Sequence, residues 1–141
     1  MSVEIAITHD LETCFALRHE VFVIEQDVPV EEEQDELDAT ATHLLARQDG
    51  AAIGTARIVF QGDTAKVGRV CVTSQARGTG LGAALIRACV KVARDRAGVF
   101  KVKLGAQTHA LGFYEKLGFA AFGPVYLDAG IEHRDMVLEL T

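Results

Sequence analysis

Arg69-Val70-Cys71-Val72 leads, after four intervening residues, into Arg77-Gly78-Thr79-Gly80-Leu81-Gly82, and the reading of this stretch decides the fold. The apolar run from Val67 to Val72 before it reads as a strand. After it, Leu81, Ala84, Leu85, Ala88, Cys89 and Val92 recur at steps of three and four, the period of a helix. A strand that turns through spaced glycines into a helix leaves unpaired N–H groups converging at the helix start. The helix dipole adds partial positive charge there, which makes the turn a site for phosphate oxygens. Glycine matters because a Cβ would restrict φ and hold a ligand off the backbone. Two better-known phosphate motifs do not fit. A P-loop needs Lys-Ser or Lys-Thr after its last glycine, and Gly82 is followed by Ala83 and Ala84. A dinucleotide fingerprint reads G-x-G-x-x-G in an early βαβ unit, whereas this turn reads G-x-G-x-G past the chain midpoint.

Working outward, the 141 residues are the length of one domain, 1–141, and 49% hydrophobic content suffices for a core. No apolar run reaches the length of a membrane span and no signal peptide is expected, which predicts a cytoplasmic protein without a membrane partner. Cys14, Cys71 and Cys89 are odd in number, lack metal-ligand spacing and fall in apolar patterns. They read as buried free thiols in a reducing compartment, with no metal site. A net charge of −6 argues against nucleic acid as a partner. The excess lies in one segment: without Glu31, Glu32, Glu33, Asp35, Glu36 and Asp38, 14 acids face 14 bases.

Toward the N-terminus, Val3 to Ile7 alternates as a strand, and Asp10 can cap a helix carrying Leu11, Cys14, Phe15, Val21 and Phe22 in phase. Arg18 and Glu25 share that phase, so each either snorkels out at the edge of the stripe, the commoner answer, or has a partner in a pocket. The acidic run after Pro29 reads first as a short solvated helix, too exposed to be tuned; its rival reading is an acidic rim for a cationic substrate. A strand at His43–Ala46, a hairpin turn at Asp49-Gly50, a strand at Ile53–Phe60 with small Gly54 and Ala56, and a strand at Ala65–Val72 form an antiparallel meander. The helix after the glycine turn stops at Gly98. The strand of Phe100, Val102 and Leu104, coming after a helical crossover, should pair in parallel with the strand before the helix. Thr108 can cap a short helix with Phe113, Tyr114 and Leu117, closed by Gly118. Strands at Ala120–Leu127 and Glu132–Leu140 end the chain. The expected class is α/β with a mixed sheet, an antiparallel meander followed by one parallel β-α-β step.

The glycine turn resembles the acetyl-CoA pyrophosphate loop of the GNAT superfamily of N-acetyltransferases, whose core reads as a hydrophobic strand followed by R-G-x-G-I/L-G. A second family pattern, N-x-x-A-x-x-F-Y-x-K-x-G-F, is matched by Gln107, Ala110, Phe113, Tyr114, Lys116, Gly118 and Phe119. The segment Leu17-Arg18-x-x-Val21-Phe22-Val23-x-Glu25-Gln26, with Asp35, Asp38 and His43, is similar to the ElaA-like branch. The resemblance covers most of the chain. It implies that the backbone of Val70, Cys71 and Val72 meets the pantetheine arm, that Arg77, Gly78, Thr79, Gly80, Leu81 and Gly82 hold the pyrophosphate, and that Gln107 contacts the coenzyme where relatives carry Asn. It also implies that Tyr114 protonates the departing thiolate. Many relatives carry a basic carboxylate on the strand before the loop; here Lys66, Gly68 and Arg69 stand there instead.

Acetyl transfer needs a neutral amine, and an amine of pKa about 10.4 is neutral in roughly one molecule in 2,500 at pH 7. A base must offset that. Glu25, His43 and His133 are the candidates; Glu25 and His43 are preferred, and His133 reads better as a surface strand residue. The expectation is an acetyl-CoA-dependent N-acetyltransferase acting on a primary amine of a small molecule or protein. A non-catalytic acyl-CoA-binding module is the alternative. A homodimer stays open.

Overall fold

The computed structural model describes residues 3–140; Met1, Ser2 and Thr141, which the expected domain of 1–141 includes, lie outside the described residues. In chain order the elements are β1 (Val3–Thr8), α1 (Leu11–Arg18), a π-helical segment (His19–Glu25), α2 (Val30–Glu33), a 3-10 turn (Glu36–Ala39), β2 (Thr42–Gln48), β3 (Ala51–Gln61) and β4 (Thr64–Val72). A 3-10 turn (Ser74–Ala76) leads to α3 (Leu81–Arg94) and β5 (Lys101–Gln107). A further 3-10 turn (Thr108–Ala110), α4 (Leu111–Lys116), β6 (Ala120–Asp128) and β7 (Ile131–Glu139) complete the chain. The strands form one mixed sheet in the order β1-β2-β3-β4-β5-β7-β6, with β4 and β5 parallel. This is the expected α/β class. Among the described residues no helix is long and apolar enough to cross a membrane.

Local chemistry accounts for the joints. Asp49 (φ 52°) and Gly50 (φ 87°) both take the left-handed conformation that closes a tight hairpin between β2 and β3. Asp10 accepts from the Thr13 N–H at 3.2 Å and caps α1 as expected. Thr108 does not cap α4. It opens the 3-10 turn, where its carbonyl takes the Leu111 N–H, and Ala110 stands at the helix start without a side-chain cap.

Helices cover both faces of the sheet. Leu85, Ile86, Cys89 and Ala93 of α3 are fully buried with Leu44, Ile58, Val67 and Val102. On the opposite face Cys14, Leu17 and Val21 pack on Leu45 and Cys71, the strand alternation sending Leu44 and Leu45 to different sides. The small Gly54 of β3 is explained by close neighbours on α3 and β4: a Cβ there would stand 3.0 Å from Leu85 Cδ1 and from the Cys71 carbonyl. All three cysteines are free and buried, as expected.

Two irregularities shape the site. The β3–β4 register slips between Thr55 and Arg57, so that two residues of β4 stand opposite one of β3, with Arg69 at φ 52°. A bulge of this kind bends a strand and re-aims its side chains. The β4–β5 ladder also runs only from Thr64↔Lys101 to Val67↔Leu104. Beyond that pair the two parallel strands part.

Candidate active site

A cavity of about 550 Å³ fills the opening between the parted strands. Gly68, Arg69 and Val70 of β4 form one wall, Leu104, Gly105 and Gln107 of β5 the other, and Tyr114 of α4 stands between them. Above it come Phe22 and Gln26 of the π-helical segment, Glu32, Glu33 and Asp35 of the acidic run, and Tyr126, Asp128 and His133 of the β6–β7 hairpin.

The glycine turn lies at the end of β4, outside the cavity lining. Gly78 (φ 78°) and Gly80 (φ 87°) both take conformations that side chains resist, and a Cβ on either would meet no atom within 4 Å. The space beside both glycines is therefore open. The first helical bond of α3 runs from the Ala84 N–H to the Gly80 carbonyl, so the N–H groups of Leu81, Gly82 and Ala83 precede the ladder. Open space with donors at the positive end of a 14-residue helix fits a pyrophosphate. Arg77 Nε donates to the Val72 carbonyl at 3.2 Å, folding its side chain back along the strand end.

Tyr114 is half-buried, edge-on to Phe113 and Phe119, and its hydroxyl has no hydrogen-bond partner among the described residues. Burial pushes its phenol up, so it holds its proton at neutral pH. The Cβ position of Gly82 lies 3.6 Å from Phe113 Cζ, which sets α4 beside the start of α3. Gln107 reaches across the cavity, donating to Gln26 Oε1 at 3.1 Å and bonded to His109 at 2.7 Å.

The acidic run is a solvated helix only in part: Glu31, Glu32 and Glu36 are exposed, but Glu33 and Asp38 turn inward, and Arg18 does not snorkel. Arg18 is 1% exposed, with Nε 2.8 Å from Glu33 Oε2 and Nη1 2.7 Å from Asp38 Oδ1. Arg57 pairs with Asp38 and Asp35, and Arg69 with Glu33 and Asp35. Three guanidiniums thus meet three carboxylates, and Glu33 and Asp38 are buried. The run is a clamp that fixes the cavity's upper wall to β3 and β4. Arg57 and Arg69 were missed by sequence reasoning, although each is a cation on a strand facing an excess of acid.

The preferred base candidates stand apart from the cavity lining. Glu25 forms a short ion pair with Arg77 at the glycine turn. It left the assumed phase because the segment after Arg18 is π-helical: i→i+5 bonding adds a residue per turn, and Val21 alone of that segment is buried. His43 is buried under the acidic run, its Nε2 donating to the Asp38 carbonyl at 2.9 Å and its Nδ1 unpaired. His133 does line the cavity.

Comparison with known proteins agrees with this architecture. The family model described as an acetyltransferase (GNAT) domain matches residues 6–140. The uncharacterized N-acetyltransferase YjcF of Bacillus subtilis is 38% identical over 128 residues, covering 90% of this chain and 91% of that one. The crystal structure of an acyl-CoA N-acyltransferase from Pseudomonas aeruginosa superposes with a TM-score of 0.89 at 33% identity, covering 97% of this chain and 99% of that one. The crystal structure of Escherichia coli ElaA gives a TM-score of 0.88 at 28% identity over 98% of this chain and 100% of that one. The sheet that parts between β4 and β5, the glycine turn that opens α3 and the matched relatives agree, and the chain belongs to the GNAT family of acetyltransferases.

Proposed function

We propose that the protein transfers the acetyl group of acetyl-CoA to a primary amine. The observation that carries this reading is the half-buried, unpartnered Tyr114 hydroxyl at the point where β4 and β5 separate. Acetyl-CoA, when bound, supplies an acyl group activated as a thioester. The N–H groups of the Gly78–Gly82 turn receive its pyrophosphate, and the backbone of Val70, Cys71 and Val72 pairs with the pantetheine arm as an added strand would. The side chain of Cys71 is buried among Cys14 and Leu17, so only its backbone is offered. Gln107 faces the same opening from β5. Backbone N–H near Val72 stabilises charge on the carbonyl oxygen. Tyr114 gives its proton to the sulfur as the C–S bond breaks.

The test is release of free thiol from acetyl-CoA with a panel of n-butylamine, putrescine, spermidine and N-acetyl-lysine amide, read beside calorimetric titration with acetyl-CoA. Thiol release matched by acetylated amine supports the reading. Binding heat with no turnover would make the protein an acyl-CoA-binding module.

A further inference from the structure

Three cross-strand neighbours carry the inference. On the ladder β5–β7–β6, Gln107 stands opposite His133 and His133 opposite Tyr126, and all three line the cavity. The Tyr126 ring stacks on His133, with centroids 5.9 Å apart and planes at 22°. Its hydroxyl then reaches back over β5 and donates to Asp135 Oδ1 at 2.8 Å. Gly105 makes this crossing feasible, because a Cβ there would stand 2.3 Å from the Tyr126 oxygen. His133 is fixed at its other edge: Nδ1 lies 2.7 Å from the Ile131 carbonyl. A carbonyl oxygen only accepts, so Nδ1 carries the proton and, in the neutral ring, Nε2 holds the lone pair. Nε2 has no protein partner among the described residues. An imidazole with one face stacked, one nitrogen anchored and the other free beside a cavity is arranged to accept a proton.

We propose that His133 is the base for the acceptor amine and that Tyr126 is its positioning residue, an inference that rests on the acetyl-transfer reading above. The ammonium nitrogen gives one proton to His133 Nε2. Its freed lone pair forms the C–N bond as the C–S bond breaks, and the sulfur takes the Tyr114 phenol proton. The new amide loses its second proton to solvent, His133 releases its own, and the Tyr114 phenolate regains one. One thioester and one ammonium thus yield one amide, one thiol and one proton.

The charged groups around the ring leave this role to His133. Burial, and then the bond to Asp135, push the Tyr126 phenol up, so it stays a donor. Asp135 is held between Tyr126 and Lys103, whose Nζ is 3.8 Å away. His109, from the turn packed against β7, is bonded to Gln107. Across the cavity Arg69 is paired with Glu33 and Asp35, Lys66 and Glu32 are exposed, and on the near side Asp128 of the lining and Glu132 of β7 are exposed.

The experiment is the pH profile of kcat/KM for wild type and His133→Asn with the amine panel, alongside calorimetric acetyl-CoA affinity. Asn retains a donor near the position of Nδ1 but offers no base. The expected result is a fall of about 10²–10⁴-fold at neutral pH with the acid limb abolished and acetyl-CoA affinity kept. Should His133→Asn not fold, His133→Ala with added imidazole replaces it. Recovery in proportion to free imidazole supports the assignment, and full turnover without imidazole overturns it. If wild type turns over and the variant matches it with the same acid limb, the base assignment alone fails. If wild type acetylates none of the amines, the acetyl-transfer reading fails and takes the assignment with it.

Discussion

Arg18 Nη1 lies 2.7 Å from Asp38 Oδ1, and the same oxygen lies 2.9 Å from Arg57 Nη1. Arg18 and Asp38 come from opposite ends of the segment that roofs the cavity, and Arg57 comes from β3. One carboxylate therefore ties a helix and an irregular loop to the sheet. Buried charges persist only where partners and hydrogen bonds replace lost water, and the matching of three guanidiniums with three carboxylates meets that condition.

Removing one partner should be costly. Arg18→Ala leaves Glu33 and Asp38 buried without their main donor, and a loss of about 3–5 kcal/mol is expected. Urea unfolding followed by circular dichroism checks it. A loss below about 1 kcal/mol would mean that the segment is held by its apolar contacts alone.

The network also sets an acid limit. Burial raises the Asp38 carboxyl, but hydrogen bonds from Arg18 and Arg57 outweigh it and hold the group well below the usual range; Arg57 lowers Asp35 too. A depressed folded pKa stabilises the fold above the unfolded value of about 3.9, and that stability drains away as pH falls toward the folded pKa. Urea midpoints should therefore drop steeply below about pH 4. In Asp38→Asn the protein should be less stable at neutral pH and lose less on acidification. A parallel pH dependence in both proteins would remove Asp38 from the account.

Much of the fold was legible because periodicity and turn chemistry report local structure. The meander announced itself through Asp49-Gly50, the parallel step through the crossover after Gly82, and the turn into α3 through Gly78 and Gly80. What was hidden depends on partners distant in sequence. Arg18 and the acidic run each looked like surface charge, since nothing local says that they neutralise one another across 15 and 20 residues. The π-helical turn displaced Glu25 by one residue of phase. A two-residue connection at Ala129-Gly130 shows that β6 and β7 pair but not which of them joins β5. It is β7 that does, and this brings His133 to the cavity.

Gly80 sits at φ 87° at the start of α3 with open space beside it. Gly80→Val should strain the turn by about 1–3 kcal/mol rather than collide with a neighbour. Acetyl-CoA affinity should fall by about tenfold or more, with the fold retained. Calorimetry on the folded variant checks this, and unchanged affinity would place the pyrophosphate elsewhere.

Tyr114→Phe keeps the ring against Phe113 and Phe119 and removes only the hydroxyl. Turnover should fall by about 10²–10⁴-fold where proton transfer limits the rate, and acetyl-CoA affinity should persist. Because burial pushes the phenol up, the wild-type alkaline limb should lie high and vanish in the variant. Full activity with an unaltered limb would make Tyr114 a packing residue.

The most direct test is a crystal structure with acetyl-CoA bound. The pyrophosphate is expected against the N–H groups of Gly78–Gly82, the pantetheine alongside Val70–Val72, and the thioester sulfur within hydrogen-bond reach of the Tyr114 hydroxyl in the opening between β4 and β5. A coenzyme bound away from the glycine turn, or a thioester outside that opening, would contradict this placement.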